Sequence, residues 1–136
     1  MIYFYSHSIL DDLNNGYTIL LDRYVLSGVV YSAAKGLDID WCISPDIGLP
    51  LPDIVFFLNL SIDEISKRGD FGNERYEKLD FQKKVLSNFL LLKEKMPKLN
   101  WVDIDASRTI DSINVELFDL CNSIMESVKE KEIDYF

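Results

Sequence analysis

The chain has 136 residues, 48% hydrophobic and 27% charged, which suits one compact domain with a buried core and excludes a disordered tract. Its formal net charge of −9 argues against nucleic-acid binding, since a groove that tracks phosphates needs clustered Lys and Arg; a small anion held by a few local arginines stays open. Cys42 and Cys121 are too few and too far apart for a disulfide framework or a zinc knuckle and fit a reducing cytoplasmic setting, and no run approaches the ~18 apolar residues of a membrane span.

In chain order, Ile2, Ile9 and Leu13 can share one helical face, and Asn15-Gly16 is a C-terminal stop. Tyr17-Thr18-Ile19-Leu20-Leu21 reads as an apolar strand, followed by a compact helix over Val25–Ala34. Ser44–Asp53, with three prolines and a glycine, is a rigid connection. It leads into a second strand, Ile54–Leu58. Leu79, Val85, Leu86, Phe89 and Leu90 mark one face of a longer helix. A shorter strand follows at Trp101–Ile104. The stripe Ile110, Ile113, Leu117, Leu120, Ile124 and Val128 predicts a final helix, and the charged tail after Lys129 is expected to fray. Strands and helices in alternation predict an α/β fold with a parallel sheet and right-handed crossovers.

Three local patterns carry chemistry. Asp22-Arg23-Tyr24 stands directly after the first predicted strand, and open α/β sheets bind ligands beyond the carboxyl ends of their strands. There an aspartate can hold a magnesium water and an arginine can bind a phosphate bidentately. The plainer reading is a strand-end salt bridge beside a packed tyrosine. Lys67 to Glu77 holds Arg68 and Arg75 on either side of Gly69 and Gly72. That composition suits a loop that closes over developing phosphate charge, or a solvated charged turn. Asp105-Ala106-Ser107-Arg108 follows the third strand. Its arginine can border a purine ring; the alternative is a polar loop with Thr109 as helix N-cap. His7 reads as a surface residue and Cys42 as a packed one.

Taken together, these stretches resemble the thymidylate kinase family, of the eukaryotic and poxvirus type. The likeness is carried by Leu21-Asp22-Arg23-Tyr24-Val25-Leu26-Ser27-Gly28, by Asp40-Trp41-Cys42, and by Pro45-Asp46-Ile47-Gly48-Leu49-Pro50 with Pro52-Asp53. It continues through Lys67–Glu77, Phe81-Gln82 and Asp105-Ala106-Ser107, and spans roughly Gly16 to Met125. The resemblance implies a three-layer, P-loop NTPase-like parallel sheet and ATP-dependent phosphorylation of dTMP to dTDP with Mg2+. It implies that Arg23 holds the acceptor phosphate and that Asp22 lies near the magnesium and the transferred group. Ser27, Gly28 and Tyr31 would line the thymidine side, and Tyr76 and Gln82 would fix the acceptor nucleoside. Arg68 and Arg75 would belong to a lid at approximately residues 62–78, and Arg108 would border the adenine. A homodimer packed through helices beside the sheet is the implied assembly.

One feature of the family is missing. No Gly-x-x-x-x-Gly-Lys-Ser/Thr occurs among the 136 residues. In that motif backbone N–H groups cradle the phosphates, while the lysine and hydroxyl hold phosphate and magnesium. The family places its P-loop strand between the strands matching Tyr17–Leu21 and Ile54–Leu58, so without it the two neighbours either close up or leave a gap. Each buried unpaired backbone group costs about 1–3 kcal/mol. The expectation is therefore a single partial domain, a truncated product or one piece of a larger enzyme, inactive and marginally folded in isolation. The alternative is a non-catalytic remnant that binds nucleotide or pairs with a complete subunit.

Overall fold

The structure is a computed structural model that describes residues 2–61, 64 and 75–136; for residues 2–5 and 75–78 it describes the backbone alone. The elements are α1 (Ile2–Asn14), α2 (Val25–Ala34), α3 (Ile39–Ile43), a 3-10 turn (Ser44–Asp46), β1 (Val55–Asn59), α4 (Arg75–Lys95), β2 (Trp101–Asp105) and α5 (Ile110–Ser127). β1 and β2 form a two-stranded parallel sheet, in register from Val55↔Trp101 to Asn59↔Asp105. This is the expected α/β class with a small, incomplete sheet. Among the described residues, no helix is long and apolar enough to cross a membrane.

α1 ends as its sequence demands. Gly16 takes φ +82°, its N–H donates to the Leu13 carbonyl at 3.0 Å, and the Tyr17 N–H donates to the Asp12 carbonyl at 3.0 Å. These two bonds satisfy carbonyls that the helix end would otherwise leave open.

α2 organises the core. Val25, Leu26, Val29, Val30 and Ala34 are buried on one side of the helix, against Cys42 of α3, Leu49, Val85 and Leu92 of α4, and Leu99. Phe57 of β1 meets Phe89 of α4 with ring centroids 5.1 Å apart, which fixes the sheet against that helix. α3 was not expected from the sequence. Asp38 caps it by accepting the Trp41 N–H at 2.8 Å, and Lys95 ties it to the end of α4 through Asp40 at 2.8 Å.

Two expectations are corrected. Tyr17–Leu21 is not a strand, and no backbone ladder joins it to any described residue. Its composition favours strand, but a strand exists only where a neighbour supplies hydrogen bonds. Instead Leu20 is 84% exposed and Tyr17 65%. The chain after Lys129 does not fray. Its last residues return to the Ser44–Asp53 connection, where Gly48 N–H donates to Phe136 O (3.0 Å), Leu51 N–H to Asp134 O (2.7 Å) and Phe136 N–H to Leu49 O (2.9 Å). The Phe136 ring packs near Tyr24, with centroids 6.1 Å apart. Phe136 packs against the core, an apolar anchor that the neighbouring charges obscure in the sequence.

Candidate acceptor site at the start of the second helix

With the core side of α2 occupied by its valines, the 3.6-residue period puts Ser27, Gly28 and Tyr31 together on the opposite side. Ser27 and Tyr31 are half-buried, and Gly28 is exposed. A Cβ built on Gly28 would meet no described atom within 4 Å, so no described residue fills the space above it.

Arg23 introduces the helix. It has φ +67°, a left-handed backbone that only a few per cent of non-glycine residues adopt and that gathers at functional sites. Its guanidinium carbon lies 5.7 Å from the centroid of the Tyr31 ring, a cation–π arrangement across two turns of α2. Tyr31 in turn leans on Phe81 of α4, ring centroids 6.0 Å apart at 58°. Gln82 is the next residue on α4 and is half-buried. One chain of contacts thus joins Arg23, Tyr31 and Phe81 and brings Gln82 into the same neighbourhood.

The start of α2 lies beside Arg23. Tyr24 is the N-cap residue, but its side chain makes no cap hydrogen bond. Its hydroxyl donates instead to the Pro50 carbonyl at 3.2 Å. Burial raises the Tyr24 pKa, and the Asp46 charge adds to the rise, so the phenol stays protonated and able to donate. The first N–H groups of α2 therefore lack a capping side chain, and the macrodipole there favours negative charge. Arg23 stands beside them, and Asp22 precedes it, exposed.

The third predicted pattern lies at the carboxyl end of β2 and is separately organised. Ser107 donates its backbone N–H to Asp105 Oδ1 at 2.9 Å, and the hydrogen bonds from Ser107 hold the Asp105 carboxyl below its ordinary pKa. Arg108 donates from Nε to the Asp105 carbonyl at 3.2 Å and pairs with Glu116 of α5. Its guanidinium is thus folded onto its own helix, and no described contact links it to Arg23. Thr109 caps α5 by accepting the Ser112 N–H at 3.3 Å. Beside this turn a hollow of about 430 Å³ is lined by Asn59, Ser61, Glu64, Asp103, Ile104 and Asp105.

Arg68 and most of the 62–78 segment lie outside the described residues. Arg75 and Tyr76 open α4, with side chains outside the description. Among the described residues, no group of three His, Cys, Asp or Glu side chains could hold a metal ion. His7 is exposed and Cys42 buried, as their contexts suggested.

Comparison with known proteins gives this geometry a context. The profile of the Thymidylate kinase family matches residues 2–117. The thymidylate kinase of Dictyostelium discoideum is 47% identical over 122 residues, covering 90% of this chain and 54% of that protein. The Homo sapiens thymidylate kinase is 40% identical over 126 residues, covering 92% and 59% respectively. The chain thus spans about half the length of the curated relatives it matches. The solved structure of Candida albicans thymidylate kinase superposes with a TM-score of 0.77 at 37% identity, covering 98% of this chain and 68% of that one.

Proposed function

This chain belongs to the thymidylate kinase family, and from that membership we propose that it forms the acceptor side of an ATP-dependent phosphoryl transfer from ATP to dTMP, giving dTDP. The observation that carries the reading is Arg23, strained into a left-handed backbone at an uncapped helix start with its guanidinium over Tyr31. A phosphate monoester placed there meets a fixed cation and the N–H groups of α2 at once.

The roles follow from position. Arg23 and the start of α2 hold the acceptor phosphate. Ser27, Gly28 and Tyr31 line the thymidine side, and Gln82, with Tyr76, helps to fix the acceptor nucleoside. In the transfer, an acceptor phosphate oxygen forms a bond to the γ-phosphorus as the bond to ADP breaks. The chemistry needs positioning and charge neutralisation more than a general base. Magnesium travels with nucleotide phosphates and keeps most of its waters, so one or two carboxylates suffice to hold it; Asp22 fits that part, and the ion would neutralise the phosphate oxygens. Arg68 and Arg75 would approach the donor phosphates, and Arg108 would border the adenine on release from Glu116. The assembly would be a homodimer packed through helices.

The donor cradle must come from outside these 136 residues, because no Gly-x-x-x-x-Gly-Lys-Ser/Thr lies within them. The same observation favours a second reading, a non-catalytic subunit that binds nucleotide or pairs with a complete copy. Both predict no transfer by the chain alone, and the acceptor-site reading also predicts dTMP binding. Calorimetry of the 136-residue chain should give an affinity for dTMP at least about tenfold above that for thymidine, with Arg23→Ala abolishing the difference. Equal binding of the two ligands would refute the acceptor site. Phosphoryl transfer to dTMP by the pure chain would refute the assignment of the donor cradle to outside residues.

A further inference from the structure

α2 and α4 pack along an apolar seam that is broken on α4 by one polar side chain. The face of α4 turned toward α2 carries Phe81, Val85, Asn88 and Leu92, at the spacing of a helical stripe. Val85 and Leu92 are buried in the core with Val29 and Val30 of α2, and Phe81 packs against it. Asn88 is half-buried, and its Nδ2 donates to the Val30 carbonyl at 3.2 Å. A carbonyl only accepts, so the amide nitrogen of Asn88, not its oxygen, faces α2.

The peptide unit that Asn88 grips is the one that leads into Tyr31. Two turns earlier on the same face of α4, Phe81 meets the Tyr31 ring, and the Arg23 guanidinium stands over that ring. α4 thus holds Tyr31 twice, by its backbone through Asn88 and by its ring through Phe81. Apolar burial is non-directional and tolerates sliding, whereas a hydrogen bond to one carbonyl does not. A slide of α2 along α4 by one residue's rise, about 1.5 Å, is enough to carry the ring pair, now 6.0 Å apart, out of the contact range of about 4.5–7 Å. The bond is not needed to satisfy the carbonyl, because within a helix the Val30 C=O already serves the N–H four residues on. Its loss strands no acceptor, so its effect falls on register more than on stability.

We propose that Asn88 is a positioning residue of the acceptor site: it fixes the register of α2 on α4 so that Tyr31 stays against Phe81 and under Arg23. A lone polar group in an apolar helix seam has this register-setting use in paired helices generally. The expected effect on dTMP rests on the acceptor-site reading above; the effect on the Arg23–Tyr31 contact does not and is read without nucleotide.

The experiment measures, in the nucleotide-free 136-residue chain, the ring-current shift that Tyr31 imposes on the Arg23 side-chain protons, and then titrates dTMP by calorimetry. Tyr31→Leu supplies the zero of the shift. Asn88→Leu keeps the volume and drops the donor, and Asn88→Asp keeps the shape and turns the donor into an acceptor. Each should lose about half of the shift or more while the unfolding midpoint falls by no more than about five degrees. Asn88→Gln retains a donor and should keep most of the shift, and Ser87→Ala, at the exposed neighbour, should leave it unchanged. Affinity for dTMP should fall about two- to fivefold in Asn88→Leu, with no further loss when Tyr31→Leu is combined with it, since both act through one ring. An unchanged shift in both Asn88→Leu and Asn88→Asp overturns the proposal. So does a midpoint lowered by about ten degrees or more in both, which makes Asn88 a support of the fold rather than of the register. Full additivity of Asn88→Leu and Tyr31→Leu in dTMP affinity overturns it as well. If the unsubstituted chain does not bind dTMP, the acceptor reading fails and the shift alone decides the register role of Asn88.

Discussion

The Arg23 guanidinium reaches the Tyr31 ring, 5.7 Å from carbon to centroid, out of a backbone with φ +67°. Side chain and backbone make separable contributions, so two substitutions distinguish them. Arg23→Gly and Arg23→Ala remove the same cation, and each should weaken dTMP binding by about 2–5 kcal/mol. Only glycine accepts the left-handed backbone without strain, so Arg23→Gly should be about 1 kcal/mol more stable than Arg23→Ala. Thermal unfolding beside a dTMP titration reads both. Equal stability with unequal binding would contradict the division.

The ring should matter less than the cation. Tyr31→Leu keeps apolar volume against Phe81 but removes the π face, which is worth about 0.5–1 kcal/mol at a partly exposed site. A two- to fivefold loss of dTMP affinity is therefore expected. No change in affinity would show that the ring does not position Arg23.

The helices of the described region were legible because their periods and stops are local. α2 follows its Val25–Ala34 run without displacement, and Asn15-Gly16 closes α1 through glycine's positive φ. The same period that buries Val25 and Val29 puts Ser27, Gly28 and Tyr31 opposite, but their proposed role rests on the family resemblance and not on that period. The left-handed backbone of Arg23 was not legible, since nothing in Asp22-Arg23-Tyr24 signals positive φ. Tyr17–Leu21 misled for a related reason: composition reports how well a residue suits a strand, whereas pairing depends on a distant neighbour. α3 was missed although Asp38 offered an N-cap signal, because five residues are too few to show a period. Arg108 was legible as a strand-end arginine, but its pairing with Glu116, eight residues on, becomes visible only in the folded turn.

Ser107 sets the titration of Asp105. Ser107→Ala removes the hydroxyl bond and leaves the backbone N–H bond of 2.9 Å, so the Asp105 pKa should rise part of the way to its ordinary value. Because the folded carboxyl titrates below its unfolded counterpart, its stabilising effect is complete above the ordinary carboxylate range. It is lost as pH falls through the folded pKa. Carboxyl carbon chemical shifts followed from neutral to acid pH test this; an unmoved midpoint in the variant would assign the shift to the backbone alone.

The two thiols should react unequally. Cys42 is 7% exposed, and burial, with the Asp38 charge, raises its pKa. Cys121 on α5 is half-buried. A disulfide reagent at about pH 8 should label Cys121 first and Cys42 only at the rate of opening, because the thiolate is the reactive form. The linkage runs opposite to that of Asp105. A thiol held protonated by the fold keeps its full contribution below the unfolded thiol pKa and loses it as pH rises toward the folded value. Equal labelling rates in native buffer would mean that the α2–α3 packing around Cys42 opens readily.

The carboxyl-terminal residues should contribute measurably to stability, contrary to the usual expectation for a charged tail. Removing Ile133–Phe136 deletes three backbone hydrogen bonds to the Gly48–Leu51 segment and the Phe136 ring beside Tyr24. Net values of about 0.5–1.5 kcal/mol per bond and the partial burial of one aromatic ring are largely offset by the entropy of ordering four residues, about 1–2 kcal/mol each, so the expected loss is about 1 kcal/mol. For a domain of this size that lowers the unfolding midpoint by several degrees. The effect should also reach the candidate site, because Tyr24 packs against Phe136 while its hydroxyl bonds Pro50, and Tyr24 separates Arg23 from α2. Phe136→Ala alone should produce about half the loss, through the ring rather than the backbone. Denaturant unfolding of the deletion and the point variant reads this split. A deletion that leaves the midpoint unchanged would show the tail to be detached in solution and the Tyr24 contact without energetic weight.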